Sequence, residues 1–261
     1  MNTRMLTAAI EGIGLWAPGL PSWDAFLAHR RGRVAAAGAA TRPAPTLLPP
    51  NERRRAPDTV LVALHAAQAA CEAAGRDPTT LPSIFASTYG DLAISDHLCQ
   101  TLARAPAEVS PTRFHNSVHN AAAGYWTIGT GAMQPATALS AGQGSFAMGL
   151  LEALAQLATG TEAVLLVGYD GASTGPLRQV LHSDGLLGGA LVLARDGICA
   201  SRRLSVEWAG GVPATPPPAD AAPGNAMAPM LALLAALADG GPEAVLPAGG
   251  DRVLRVRLEH A

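Results

Sequence analysis

Gln143 stands between Gly142 and Gly144, where a strand-like stretch, Ala136 to Ser140, runs into an apolar helix-like one, Gly144 to Thr159. That order delivers one side chain to a helix N-terminus, where free backbone N–H groups and the helix dipole favour an anionic oxygen. The flanking glycines relieve the steric limits on a sharp turn. An elbow of this kind ordinarily presents a nucleophile. An amide has no ionisable proton and negligible nucleophilicity, so covalent nucleophilic catalysis at Gln143 is excluded. Ser145 does not rescue a serine-hydrolase reading: Gly142 precedes it by three and Ala147 follows it by two, so the G-x-S-x-G spacing fails.

Other residues invite chemistry less. His115 and His119 have the i, i+4 spacing of a helical metal pair, yet no Glu lies between them and no third ligand is evident, so a hydrogen-bonded core or interface pair is expected and no metal. Gly12-Ile13-Gly14 lacks the third glycine and the downstream acid of a dinucleotide site, so no cofactor is expected. Tyr169-Asp170-Gly171 ends a strand, where α/β domains place ligand groups, although Asp-Gly is more commonly a turn. All 18 basic residues are arginine. The absence of lysine excludes Schiff-base, PLP and Walker A chemistry.

A chain of 261 residues, 49% hydrophobic, buries about three quarters of its unfolded surface and can support its own core. With a formal net charge of −2 and no cationic helix-length run, no nucleic acid and no anionic membrane is expected as a partner. No continuous apolar run follows Met1 to Arg4, and no segment reaches about 18 uncharged apolar residues, so a cytoplasmic protein is expected. Cys71, Cys99 and Cys199 are odd in number and lack ligand spacing, and are read as reduced and buried.

The elements that must position the elbow follow from periodicity and caps. Strands are expected at Leu6 to Leu15, Ile84 to Thr88, Ala136 to Ser140 and Ala163 to Val167. Gly189 to Ala194 and Ile198 to Trp208 are expected as a closing hairpin turned at Asp196-Gly197. Helices are expected from Trp23 to His29 with Ser22 as N-cap, Pro57 to Ala74 ended by Gly75, Ile94 to Ala105, Ser110 through about Ile128, and an interior Gly144 to Thr159. Arg33 to Asn51 reads as loop. Residues 1–210 form the main domain, the proline-rich 211–224 (Pro213, Pro216, Pro217, Pro218, Pro223) a stiff linker, and 225–261 a helix near Met227 to Ala238 and a strand at Val253 to Leu258 on the same domain. The fold class is α/β, a mixed and mostly parallel five-stranded sheet with layered helices.

These residues resemble the ketosynthase family of the thiolase-like superfamily. Ile10-Glu11-Gly12-Ile13-Gly14 with Trp23 to Gly32 is similar to its opening strand and short helix. His115-Asn116-Ser117-Val118-His119-Asn120-Ala121-Ala122-Ala123-Gly124 parallels its asparagine-, alanine- and glycine-rich helix. Counting back 17 residues from Gly160, which matches the glycine ending the elbow helix, gives Gln143 where the family has its cysteine. Glu162 to Gly168 and Gly188 to Leu193 resemble the strands that follow.

The resemblance implies a thiolase-like half-fold. The family's two histidines belong to a second half that has no counterpart in this sequence, and His182 and His260 lie in the wrong contexts to replace them. Glutamine at the elbow is similar to chain-length factors, the non-acylating partners of ketosynthases in polyketide and aryl polyene systems. The implied partners are a full-length β-ketoacyl synthase, in a heterodimer, and acyl carrier protein through the complex; Arg53, Arg54 and Arg55 are read either as a contact for the carrier or, more simply, as a solvated arginine cluster. Elbow residues Gly142, Gln143, Gly144 and Ser145 and tunnel or interface residues Phe114, His115, Asn116, His119, Asn120, Thr137, Leu139 and Phe146 follow from the same resemblance. The alternatives are malonyl decarboxylation by the Gln143 amide and a carrier-binding scaffold.

Overall fold

The computed structural model describes residues 5–33, 42–195, 202–211, 221, 222 and 224–260. In chain order these form β1 (Leu6–Trp16), α1 (Trp23–Arg30), α2 (Pro50–Arg55), α3 (Asp58–Ala74), β2 (Ser83–Ala86), α4 (Leu92–Arg104), α5 (Pro111–Asn116), α6 (Ala121–Thr130), β3 (Ala136–Leu139), α7 (Ser145–Ala158), β4 (Ala163–Asp170), β5 (Leu187–Ala194), β6 (Arg202–Gly210), α8 (Leu231–Asp239), β7 (Glu243–Gly249) and β8 (Arg252–His260). The capping signals act as expected. Ser22 Oγ accepts from the Ala25 N–H at 3.2 Å, and Gly75 closes α3 in the left-handed conformation at φ 62°. The Asp196-Gly197 turn, Cys199 and linker residues Pro213, Pro216, Pro217, Pro218 and Pro223 lie outside the described residues.

The α/β class holds, but the sheet differs in size and direction. Eight strands run in the order β3-β2-β4-β5-β1-β6-β8-β7. Only the β2–β3 and β2–β4 pairings are parallel; every other neighbour is antiparallel. The expected β5–β6 hairpin is not formed, because β1 inserts between the two strands and pairs with both. The closing hairpin is instead β7 with β8, and it joins the sheet through β6.

Strand alternation sorts the core into two layers. Val164 and Leu166 of β4 join α7, α8 and Phe26 of α1 on one face, while Leu165, Val167 and Tyr169 join α3 and α6 on the other. Gly12 and Gly14 owe their identity to this packing. A Cβ on either would stand 2.1 Å from the Ala70 carbonyl oxygen or 2.0 Å from that of Ala66, so β1 can lie against the alanine-rich α3 only without side chains there. The interior helix expected at Gly144 to Thr159 is α7, but not on all sides: Ala155 and Ala158 are exposed, and Met148, Leu151, Glu152 and Gln156 are half-buried.

Candidate functional site

The elbow is built by its own backbone. Gly142 carries the left-handed conformation at φ 57°, so Gln143 needs no unusual φ. The Gly144 and Ser145 N–H groups donate to the carbonyls of Ala141 and Gly142, both at 3.1 Å. Ser145 Oγ donates to the Gly142 carbonyl at 2.7 Å and accepts from the Ala141 N–H at 2.9 Å; at 1% exposure, its hydroxyl is committed to holding the turn. Gln143 is exposed, and its amide has no hydrogen-bond partner among the described residues. The one side chain that the elbow offers to an incoming group is therefore the amide.

Behind the elbow, Asp170 ties together the loops that follow β2, β3 and β4. Fully buried, its carboxylate accepts from Ser87 Oγ (2.7 Å), the Thr88 N–H (2.9 Å) and the Tyr89 N–H (3.2 Å). Burial pushes its pKa up, and the hydrogen bonds from Ser87, Thr88 and Tyr89 oppose that shift. Ser140 Oγ adds a bond to the Thr88 carbonyl at 2.9 Å, and His119 Nε2 donates to the Ser87 carbonyl at 3.1 Å. No turn forms at the Asp170-Gly171 pair, where one was expected; Asp170 ends β4 and anchors the strand ends instead.

A cavity of about 780 Å³ opens between the starts of α3 and α4, α5 and the segment joining β4 to β5. Trp16, Pro18, Leu92, Ile94 and Leu186 give it an apolar wall, and Thr59, Asp91, Arg113 and Asn116 a polar one. Its lining comes from residues spread over most of the chain, so no local pattern announces it.

Residues 23–246 match the β-ketoacyl synthase N-terminal domain. The chain belongs to that family. Among solved structures, it is similar to a chain of the ketosynthase ApeO in complex with its chain length factor ApeC from Xenorhabdus doucetiae, at 25% identity and a TM-score of 0.76, over 97% of this chain and 99% of that one. The ishigamide ketosynthase/chain length factor gives 18% identity and a TM-score of 0.72 over the same shares. A third likeness, at 13% identity and a TM-score of 0.61, is to the AntDE:AntF assembly, described as a type II polyketide acyl-carrier protein in complex with its ketosynthase; it covers 80% of this chain and 70% of that one. No curated protein matches the sequence.

In this ketosynthase domain the expected tunnel or interface residues fall into separate places. Thr137 and Leu139 are half-buried on β3, which pairs with β2 on one side only and so forms an edge of the sheet. Phe114 is 63% exposed and His115 is exposed on α5, Asn120 is exposed before α6, and Asn116 is buried, accepts from Tyr125 Oη at 3.1 Å and lines the cavity. The single helix expected from Ser110 to Ile128 is broken at residues 117–120, where His119 is held by Ser87 and its carbonyl accepts from Tyr169 Oη at 3.4 Å; His115 and His119 therefore do not share a helix face. Phe146 is 2% exposed and lies in the same hydrophobic cluster as Met227 and Met230. Among the described residues no group of three metal-ligating side chains occurs, and no helix is long and apolar enough to cross a membrane.

Proposed function

We propose that this chain is a non-acylating, chain-length-factor-like subunit that pairs with a full-length β-ketoacyl synthase and contributes a wall of a shared acyl cavity. The observation that carries the reading is Gln143 on a tight elbow, made by the left-handed Gly142 and the buried Ser145 hydroxyl, at the start of α7. The match to the two ketosynthase/chain length factor structures spans 99% of the matched chain in each, whereas a Burkholderia phymatum β-ketoacyl synthase is covered over 71% of its length, which supports likeness to the former.

The surface supports a partner at β3. Four of the eight large apolar side chains exposed among the described residues, Phe114, Val118, Ile128 and Met133, fall along α5, α6 and the segment entering β3, and Met133 is 95% exposed. An open strand edge beside apolar side chains is an aggregation hazard unless another chain covers it. Acyl carrier protein would meet the complex near α2, where Arg54 and Arg55 are exposed and Arg53 half-buried. Co-expression with a full-length synthase, followed by size exclusion with light scattering, tests the pairing. A 1:1 heterodimer is expected; a stable monomer or homodimer that ignores the synthase overturns it.

The unpartnered amide of Gln143 at the start of α7 supports a second reading, in which it binds a malonyl thioester carbonyl and stabilises the enolate formed on loss of carbon dioxide. Carbon dioxide release from malonyl carrier protein measures this, and release at background sinks it.

A further inference from the structure

We infer that the cavity beside α5 takes an apolar chain that ends in a carboxylate, with Arg55 and Arg113 binding the anionic end. This deepens the proposed function by naming the class of acyl group, and rests on that reading for its link to synthesis. The binding chemistry itself stands on the cavity alone.

Four charged side chains line the cavity: Arg55, Asp58, Asp91 and Arg113. Its two acids are already occupied. Asp58 pairs with Arg42, Nε to Oδ1 at 2.6 Å, and Arg42 is not part of the lining. Asp91 accepts from Thr59 Oγ1 at 2.7 Å and from the Ile94 N–H at 2.8 Å, where it caps α4. Neither the Arg55 nor the Arg113 guanidinium has a hydrogen-bond or ion-pair partner among the described residues. Two uncompensated cations thus border a cavity whose carboxylates are spoken for, and a guanidinium fork matches a carboxylate in shape and charge.

A third polar group points the same way. Thr174 lines the cavity, and its Oγ1 is buried without a hydrogen-bond partner, a state that costs stability unless a ligand or solvent atom supplies the bond. Trp16, Pro18, Leu92, Ile94 and Leu186 meanwhile offer nothing to a charge and suit methylene groups or a conjugated chain. An apolar body with an oxygen-bearing anionic end satisfies both walls, and an aliphatic chain ending in a methyl group satisfies one.

Calorimetric titration of the full chain with octanoate, octan-1-ol and octylammonium tests this. Octanoate is expected to bind at least roughly tenfold more tightly than octanol, with octylammonium weakest, as charge-assisted bonds require. The double variant Arg55→Gln, Arg113→Gln should lose that preference while keeping the octanol affinity and the far-UV circular dichroism of the parent. Equal affinities for octanoate and octanol, a preference that survives in the double variant, or no binding of any of the three overturns the inference. Octanoyl and suberyl carrier proteins, offered to the heterodimer, then separate the sources. Preference for the suberyl form assigns the site to the far end of a carrier-bound chain, and octanoate binding without that preference assigns it to a free acid. Because the first titration needs no synthase, it is read independently of whether the heterodimer forms.

Discussion

Gly144 of the elbow and Ala248 of the β7–β8 hairpin approach so closely that a Cβ on the glycine would lie 2.9 Å from the Ala248 carbonyl carbon and 3.1 Å from the Gly249 nitrogen. Both obstacles are backbone, so no side chain can swing aside. The hairpin that extends the sheet beyond β6 is therefore also the backing of the elbow.

Gly144→Ala forces one of the two to move. Overpacking of this kind costs about 1–3 kcal/mol. The loss is expected in urea unfolding of the isolated chain, together with new protease cleavage near Gly249 and Gly250, whose left-handed conformations (φ 97° and 56°) make that turn the easier part to shift. An unchanged unfolding midpoint would mean that the approach is looser than the geometry shows.

Ile128→Asp and Met133→Asp address the partner surface. At 79% and 95% exposure neither side chain contributes to the core, so each variant should unfold within about 0.5 kcal/mol of the parent. Copurification with the synthase should fall more than roughly tenfold, the effect of a charge placed in a desolvated contact. Loss of fold in the isolated chain, or intact copurification, would each refute this.

Arg76 binds Glu11 through two bonds, 2.7 and 2.9 Å, and reaches Glu162 at 2.8 Å, joining the end of α3 to the bulge in the middle of β1 and to the residue that precedes β4. Hydrogen bonding and charge from Arg76 hold the Glu162 carboxyl below its ordinary value of 4.5. A depressed carboxylate stabilises the fold above its unfolded pKa, and the contribution is lost as pH falls through the folded one. The stability gap between the parent and Arg76→Gln is therefore expected to be full at neutral pH and to narrow below about pH 4.5. Urea midpoints measured across that range decide it, and a gap that grows in acid would reverse the assignment.

Thiol labelling separates the cysteines. Cys71 is buried in α3, and burial pushes its thiol up to about 12, whereas Cys99 is exposed on α4 and departs from the buried state expected of it. Peptide mapping after brief iodoacetamide treatment at neutral pH should show Cys99 modified and Cys71 intact until urea unfolds the chain. Modification of both at equal rates would contradict the burial of α3.

What the sequence made legible was local. Ser22, Gly75 and the flanks of Gln143 announce α1, the end of α3 and the elbow, because a cap or a turn is chosen by its own few residues. Tertiary pairing was not legible. Leu187–Ala194 and Arg202–Gly210 read as a hairpin because they are neighbours in sequence, and nothing in either strand reveals that Leu6–Trp16 lies between them. β7 escaped notice because Pro247 interrupts its pattern, a residue tolerated there because the strand is an edge. The break between α5 and α6 is held by the Ser87 carbonyl, which accepts from His119, and by Tyr169 Oη, which donates to the His119 carbonyl, both far away in the chain. The elbow could thus be found by reading, while the cavity required the fold.

The contact between Gly144 and Ala248 also sets an order of events during synthesis. Ala248 leaves the ribosome about a hundred residues after Gly144, which at roughly 5–20 residues per second is a delay of about 5–20 seconds. Through that interval α7 can form, but its N-terminus has nothing behind it. The open β3 edge is made before the elbow is backed, so under the proposed pairing a synthase that engages early would meet that edge ahead of the finished elbow.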